Sequence, residues 1–408
     1  MSELTQAVAR RIIDTVGAHG VPPEYGFQFF SVGFEPYLAI IEDEYLSSFI
    51  PQGGSAFKLV IGMYGGGKTH LLYSIRDVAW KHNFVVSYVT LSPGESPFHR
   101  LDLVYGAIAR GILPPLTPEE LLSGFEYGMA SFLRGWYAMK FQECRSKGLS
   151  GEALYSELEA DVERLSGVES LSFLRAIKAS LRALAQRRED DFENICQWLT
   201  GESYDRKTHS RHGILQRIDR STAFTMIRSL VQCLRQMGYN GLVVLLDEAE
   251  RVPSLSTRQR DQHLSNLREV IDACGHTSFQ GAMIFYAVPD DNFLEGRTQI
   301  YEALKQRLDT VFGGLNPAGV RINLESVVSD PVEFLVSIGQ KLAEVYRVAY
   351  GCQFRDEHLA ATITNVAGFA ADQRYADEGY KRLFVKTIVR ALHHLRQKGV
   401  PPSVDDLR

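Results

Sequence analysis

The sequence predicts an α/β fold: a five-stranded parallel sheet with a long helical insertion and a C-terminal α-helical domain. Three observations predict it. Short apolar runs rich in β-branched and aromatic residues alternate with helical patterns. A glycine-rich turn joins the first run to the first helix. The third run ends on two adjacent acids.

The five runs are Phe57–Ile61, Phe84–Leu91, Leu242–Leu246, Ala282–Val288 and Val320–Leu324. Helical spacing follows the first at Leu71–Trp80 and the third at Leu264–Cys274. Strands alternating with helices imply a parallel sheet covered on both faces. The stretch between the second and third strands is far too long for one crossover. Its apolar spacing over Leu121–Phe141, Leu154–Leu165 and Phe173–Leu184 predicts a helical insertion whose ends return to the sheet. After the fifth strand, Pro331–Ala349 and Tyr380–Gln397 read as amphipathic helices. The expected organisation is an N-terminal helical segment (1–50), a core (51–325) with its insertion at about 101–238, and a helical lid domain (326–408).

Composition narrows the function classes. Of 408 residues, 45% are apolar and 23% charged, an ordinary globular balance. No apolar run approaches the roughly 18 residues of a membrane span, and residues 1–12 lack a signal-peptide layout. The five cysteines lie far apart without a CxxC pair, which suits reduced thiols in a cytoplasmic protein. The net charge of −5 builds no general attraction for nucleic acid into the chain. Any such contact has to be local.

Gly62-Met63-Tyr64-Gly65-Gly66-Gly67-Lys68-Thr69 fits GxxxxGK[ST], directly after a strand and directly before a helix. Glycines let successive backbone N–H groups close around a phosphate, which side chains obstruct. The helix start adds its positive dipole end. Lys68 supplies a full charge to the β- and γ-phosphates, and the Thr69 hydroxyl a ligand to magnesium. The pattern implies ATP and Mg²⁺ as cofactors, with His70 closing the loop contacts. The strand Gly241–Leu246 runs into Asp247 and Glu248. Two acids at the end of a buried strand are costly unless they serve a cation or a reacting water. Asp247 reads as the magnesium holder and Glu248 as the base that polarises the attacking water, with Glu250 as substitute.

The remaining candidates keep two readings each. Arg307, on a helix before the fifth strand, is either a finger reaching a neighbouring subunit's γ-phosphate or a solvated helix-face arginine. Arg382, in Gly379-Tyr-Lys-Arg382, either folds a lid onto the nucleotide or lies on the surface. Arg297 and Arg374 are their substitutes. Asp290 and Asn292 are the nearest polar groups after the fourth strand, although Pro289 favours a plain loop there. The basic stretch Arg206–His212, with Arg217 and Arg220, either binds phosphate backbone or a partner, or is a solvated loop. His209 and His212 lack companions at zinc spacing.

Together these residues resemble the AAA+ branch of P-loop NTPases near the origin-recognition and STAND ATPases. More closely, the chain is similar to the BREX-associated ATP-binding proteins (BrxD-like). The matching pieces are Arg10-Arg11-Ile12 with Gly20-Val-Pro22, Ser31-Val-Gly33, Gly62–Leu72, Phe84–Leu91 and Gly238–Glu248. The resemblance implies that Val32 and Gly33 lie near the adenine. It further implies an oligomer at work in phage defence on DNA, alongside a helicase, nuclease or methyltransferase partner. The family usually has a threonine near the end of the fourth strand, where this chain reads Ala287-Val288-Pro289, so the γ-phosphate sensor is left unassigned. Two other classes use the same loop. A small-molecule kinase calls for a compact chain with an acceptor pocket. A helicase needs a second strand-rich domain, which the sequence after Leu324 does not supply. A nucleotide-dependent structural module without fast turnover is the further alternative.

Overall fold

The computed structural model describes residues 4–248, 255–276, 278–290, 299–326, 330–373, 379–403 and 406. Its sheet comprises β1 (Ser55–Ile61), β2 (Val85–Thr90), β3 (Ile112–Leu113), β4 (Leu242–Asp247), β5 (Ala282–Val288) and β6 (Arg321–Asn323). They lie in the order β3-β2-β4-β5-β1-β6. All five expected strands are present and pair in parallel. The expected count of five needs one correction: β3, a two-residue strand, pairs antiparallel with the edge of β2. Two residues carry too little pattern to register as a strand in sequence.

β1, β4 and β5 are buried at every position, as central strands covered on both faces must be. Their side chains alternate between two cores. Leu242, Val244 and Leu246 face one, and Val243 and Leu245 the other. The first core includes α4 (Leu101–Arg110) and the insertion. The second includes α3 (Lys68–Lys81), α2 (Glu35–Ile40) and a π-helical segment, Ile41–Phe49.

The insertion comprises α5 (Pro118–Ser123), α6 (Met129–Ser146), α7 (Gly151–Arg164), α8 (Leu171–Ala185), α9 (Glu189–Leu199), α10 (Arg206–Ser210) and α11 (Ala223–Gln236). Gly124–Gly128 breaks the single helix that the apolar spacing suggested over Leu121–Phe141. Gly128 has φ 98°, a value that glycine adopts without strain. α11 returns onto α4, which itself lies on β2. α12 (Thr257–Gly275) starts with a capping box, Ser256 with Gln259, and packs against β1 and α13 (Gln299–Leu308).

The chain ends in α14 (Pro331–Tyr350), α15 (Asp356–Asp372) and α16 (Tyr380–Lys398). The N-terminal α1 (Gln6–His19) packs on α14 and α16, so Ile12, Ile13, Leu342 and Ile388 share one core. The first and last segments of the chain thus form one helical unit.

Candidate functional site

The turn between β1 and α3 closes on itself. Gly66 N–H donates to the Met63 carbonyl at 2.9 Å, and a Cβ at Gly66 would lie 2.8 Å from that same oxygen. Lys68 opens α3 and is almost wholly buried. Its ammonium donates to the Gly62 and Met63 carbonyls at 2.8 and 3.2 Å. An anion at this helix start would meet the backbone dipole and that ammonium together.

Asp247 ends β4 and is 1% exposed. A carboxylate this deep needs donors, and three surround it. Thr69 Oγ1 donates to Oδ2 at 2.7 Å, Tyr88 Oη to the same oxygen at 2.5 Å, and the Glu248 N–H to Oδ1 at 2.9 Å. Burial, then the Asp247 charge, push the Tyr88 phenol far above its ordinary pKa, so it stays a donor. The hydroxyl and carboxylate oxygens of Thr69 and Asp247 are hard donors side by side, a set that fits magnesium. Glu248 sits at φ 57°, a left-handed conformation uncommon outside glycine and concentrated at functional sites.

Lys68, Thr69, Asp247 and Glu248 line a cavity of about 1020 Å³ that is open to solvent. The same cavity is also lined by apolar side chains, Val21, Phe30, Val32 and Phe34 from the N-terminal segment and Ile338 and Val385 from the helical unit, with Phe34 packed beside Gly67 of the loop. A lining that combines anion-binding groups with apolar side chains matches a nucleotide, which carries both phosphates and a flat base.

The third wall comes from α16. Gly379, at φ 74°, packs so tightly that a Cβ there would lie 2.1 Å from the Tyr64 carbonyl oxygen. Only glycine lets the helix start rest on the loop. Behind it, Lys381 is buried and donates to the Gly66 carbonyl at 3.2 Å. Burial holds its pKa below the usual lysine range, and Glu325 opposes that shift. Arg382 donates to the His19 carbonyl at 3.1 Å and lies over the Tyr64 ring at 4.9 Å.

The sequence-predicted residues distribute as follows. Val32, Tyr64 to His70, Asp247, Glu248 and Arg382 line the cavity. Gly62 and Met63 act through the carbonyls that hold Lys68. Gly33, at φ 86°, lies beside Val32 without lining the cavity. His70 Nε2 is 3.0 Å from Ser31 Oγ, and its ring lies among Phe27, Phe30 and Phe34. Burial, helped by Lys341, lowers its pKa to about 4, so it pins the N-terminal segment as a neutral ring. Arg307 does not line the cavity. Its Nε and Nη2 donate to the Asp272 carboxylate at 2.5 and 3.2 Å. Asp290 is exposed beyond β5. Glu250, Asn292, Arg297 and Arg374 lie outside the described residues. Sequence reasoning missed Tyr88 and Lys381. Lys381 adjoins Arg382 in the same short motif, but only the docking of α16 shows which of the two is buried.

The model of the BREX system ATP-binding protein BrxC/D family matches residues 4–401. The chain belongs to that family. This BrxC/D match runs through the N-terminal segment, the sheet, the insertion and the helical unit, so all three walls of the cavity fall within it. No curated protein and no solved structure matches the chain. Among the described residues, no helix is long and apolar enough to cross a membrane.

Proposed function

We propose that this BrxC/D protein is a magnesium-dependent P-loop ATPase of the AAA+ type, working in the cytoplasm as an oligomeric switch or motor in phage defence. The observation that carries the reading is the Asp247 carboxylate holding the Thr69 hydroxyl and the Glu248 N–H, in a cavity that the buried Lys68 and apolar side chains also line. Lys68 leaves its loop carbonyls for the β- and γ-phosphate oxygens. Magnesium, when bound beside Thr69 and Asp247, supplies further positive charge to those oxygens. The Glu248 carboxylate accepts a proton from the water that attacks the γ-phosphorus, and the bond to the β-phosphate oxygen breaks to give ADP and inorganic phosphate. Arg382 and Lys381 close the helical unit on the nucleotide. In an oligomer, Arg307 exchanges Asp272 for the γ-phosphate of an adjoining copy. The work is done on DNA or on a helicase, nuclease or methyltransferase partner.

The test separates binding from chemistry. Lys68→Ala should lose tight ATP binding in calorimetry, since charge-assisted contacts of about 1.5–3 kcal/mol each disappear. Glu248→Gln should bind ATP as the parent does while phosphate release slows by about 10² or more. Unchanged affinity in the first variant removes the nucleotide reading. A normal rate in the second moves the base elsewhere.

A further inference from the structure

A basic cleft on the insertion takes no part in the nucleotide chemistry. Arg175, Lys178 and Arg182 recur on α8 at intervals of three and four residues, which places them on one helix face. The opposite face, with Phe173, Ile177 and Leu181, is buried in the core. Folding brings the end of α10 against that basic face. Gly213 packs on Arg175 so closely that a Cβ would meet its Cδ at 2.7 Å, and Arg175 donates to the Gly213 carbonyl at 3.3 Å. Arg211 and His212 therefore stand beside the α8 cations, and Arg188 joins them from the turn after α8. The six side chains line a cleft of about 530 Å³ whose other lining residue is Ala179.

Three carboxylates stand around the cleft without lining it. Glu163 pairs with Lys178 at 2.8 Å and also with Arg182, Glu159 pairs with Arg182 at 2.7 Å, and Asp191 pairs with Arg188 at 3.0 Å and also with Arg211. Four of the five fixed cations thus pair with three acids, while the first turn of α9 also carries Glu189, paired with Arg134, and Asp190; the lining itself is cationic and every acid stands outside it. The pairs with Glu159 and Glu163 are solvent-exposed and contribute little to stability. Phosphates can replace such carboxylates at small cost and release condensed counterions as they bind.

We propose that this cleft binds the sugar-phosphate backbone of a nucleic acid. Four of its five fixed cations are arginines, whose forked donors match phosphate oxygens bidentately. Arg175 to Arg182 spans about 10 Å along α8 at the usual helical rise. A duplex strand carries about three phosphates over that length, and α8 offers three cations. Neither aromatic rings to stack on bases nor amide side chains line the cleft, which favours contact to the backbone. An acidic protein segment is the competing occupant. The cleft shares no residue with the nucleotide cavity.

The experiment measures fluorescence anisotropy of a labelled duplex and a labelled single strand, titrated with the full chain between about 50 and 200 mM salt, the range over which backbone contacts show their salt dependence. Binding should weaken steeply with salt for at least one probe. Arg175→Ala/Lys178→Ala/Arg211→Ala should reduce affinity on the order of 10²-fold at the lower salt and flatten the slope by about one per cation removed. Lys178→Ala/Arg188→Ala, which leaves the Arg175–Gly213 contact in place, should flatten it by about two. Both variants should keep the parent's ATP affinity, which reports folding and separates a failure here from a failure of the nucleotide reading. Parent-like binding with an unchanged slope in the folded variants overturns the proposal. So does a parent chain that ignores both probes, or one that binds polyglutamate through these cations in their place.

Discussion

The two sides of the cavity each bring a buried lysine to the same glycine loop, and they do so by different routes. Lys68 belongs to the loop's own sequence and reaches back to the Gly62 and Met63 carbonyls. Lys381 begins a helix more than three hundred residues later and reaches the Gly66 carbonyl from outside. The first arrangement is local: strand, turn and helix start follow one another, so forming β1 and α3 places the ammonium. The second exists only once α16 rests on Tyr64, a contact that depends on a glycine at position 379. The loop side therefore forms whenever the sheet is folded. The α16 side forms only when the helical unit docks on the loop.

The largest expected effect comes from breaking the docked side at its contact point. Gly379→Ala puts a methyl group where the Tyr64 carbonyl already stands and forces a left-handed alanine, which costs about 1–2 kcal/mol in conformation alone. The helix start must lift, and Lys381 and Arg382 lift with it. ATP affinity should fall by about 10²-fold, the loss of two charged contacts, while the far-ultraviolet circular dichroism of the sheet and insertion stays as in the parent. An alanine variant with full ATP affinity means that the docked side adds nothing to binding.

A smaller effect sharpens the same contrast. Lys381→Met keeps the volume but removes the charge, which lies over the Phe334 ring at 5.4 Å. If Lys381 turns from the Gly66 carbonyl to the phosphates, ATP affinity should drop about tenfold, the value of one charge-assisted contact. Adenosine affinity should not change. An equal loss for both ligands would show that Lys381 only holds the loop in shape.

The same division explains what the sequence made legible. The glycine loop and the Asp247-Glu248 pair are contiguous and follow strands, so residue type and spacing locate them. β4 and β5 were legible because full burial leaves unbroken apolar runs, while β1, β2 and β6 were legible from mostly apolar, β-branched runs despite Lys58, Ser87, Arg321 and Asn323 within them. Tyr88 was hidden because a tyrosine in a strand reads as packing, and its bond to Asp247 depends on the register of β2 against β4. The union of α1 with α14 and α16 was hidden too, since an amphipathic face does not say which partner covers it. In the basic cleft, the run at 206–212 was visible, but the α8 cations gained meaning only when folding brought them alongside it.

A third buried lysine tests whether burial alone marks a functional cation. Lys58 lies on β1, ten residues before Lys68, and is 1% exposed. Its three protons find fixed acceptors: Tyr45 Oη at 2.7 Å, the Pro317 carbonyl at 3.1 Å and the Gly319 carbonyl at 2.6 Å. The Tyr45 and Phe312 rings flank it at 4.3 and 4.4 Å. Every donor is taken by the protein itself, so Lys58 is structural: it ties the turn before β6 to the N-terminal segment. Burial pushes its pKa from the ordinary 10.5 down to about 7. Between those values the unfolded chain holds a proton that the folded chain has released, so stability rises with pH across the window. The unfolding free energy of the parent relative to Lys58→Met should therefore climb between pH 7 and pH 9, with a slope approaching about 1.4 kcal/mol per pH unit. ATP affinity should be the same in both proteins. A flat difference across that range would mean that the three acceptors and two rings keep the ammonium charged. A loss of ATP affinity in Lys58→Met would erase the distinction between a lysine that holds the frame and one that meets the nucleotide.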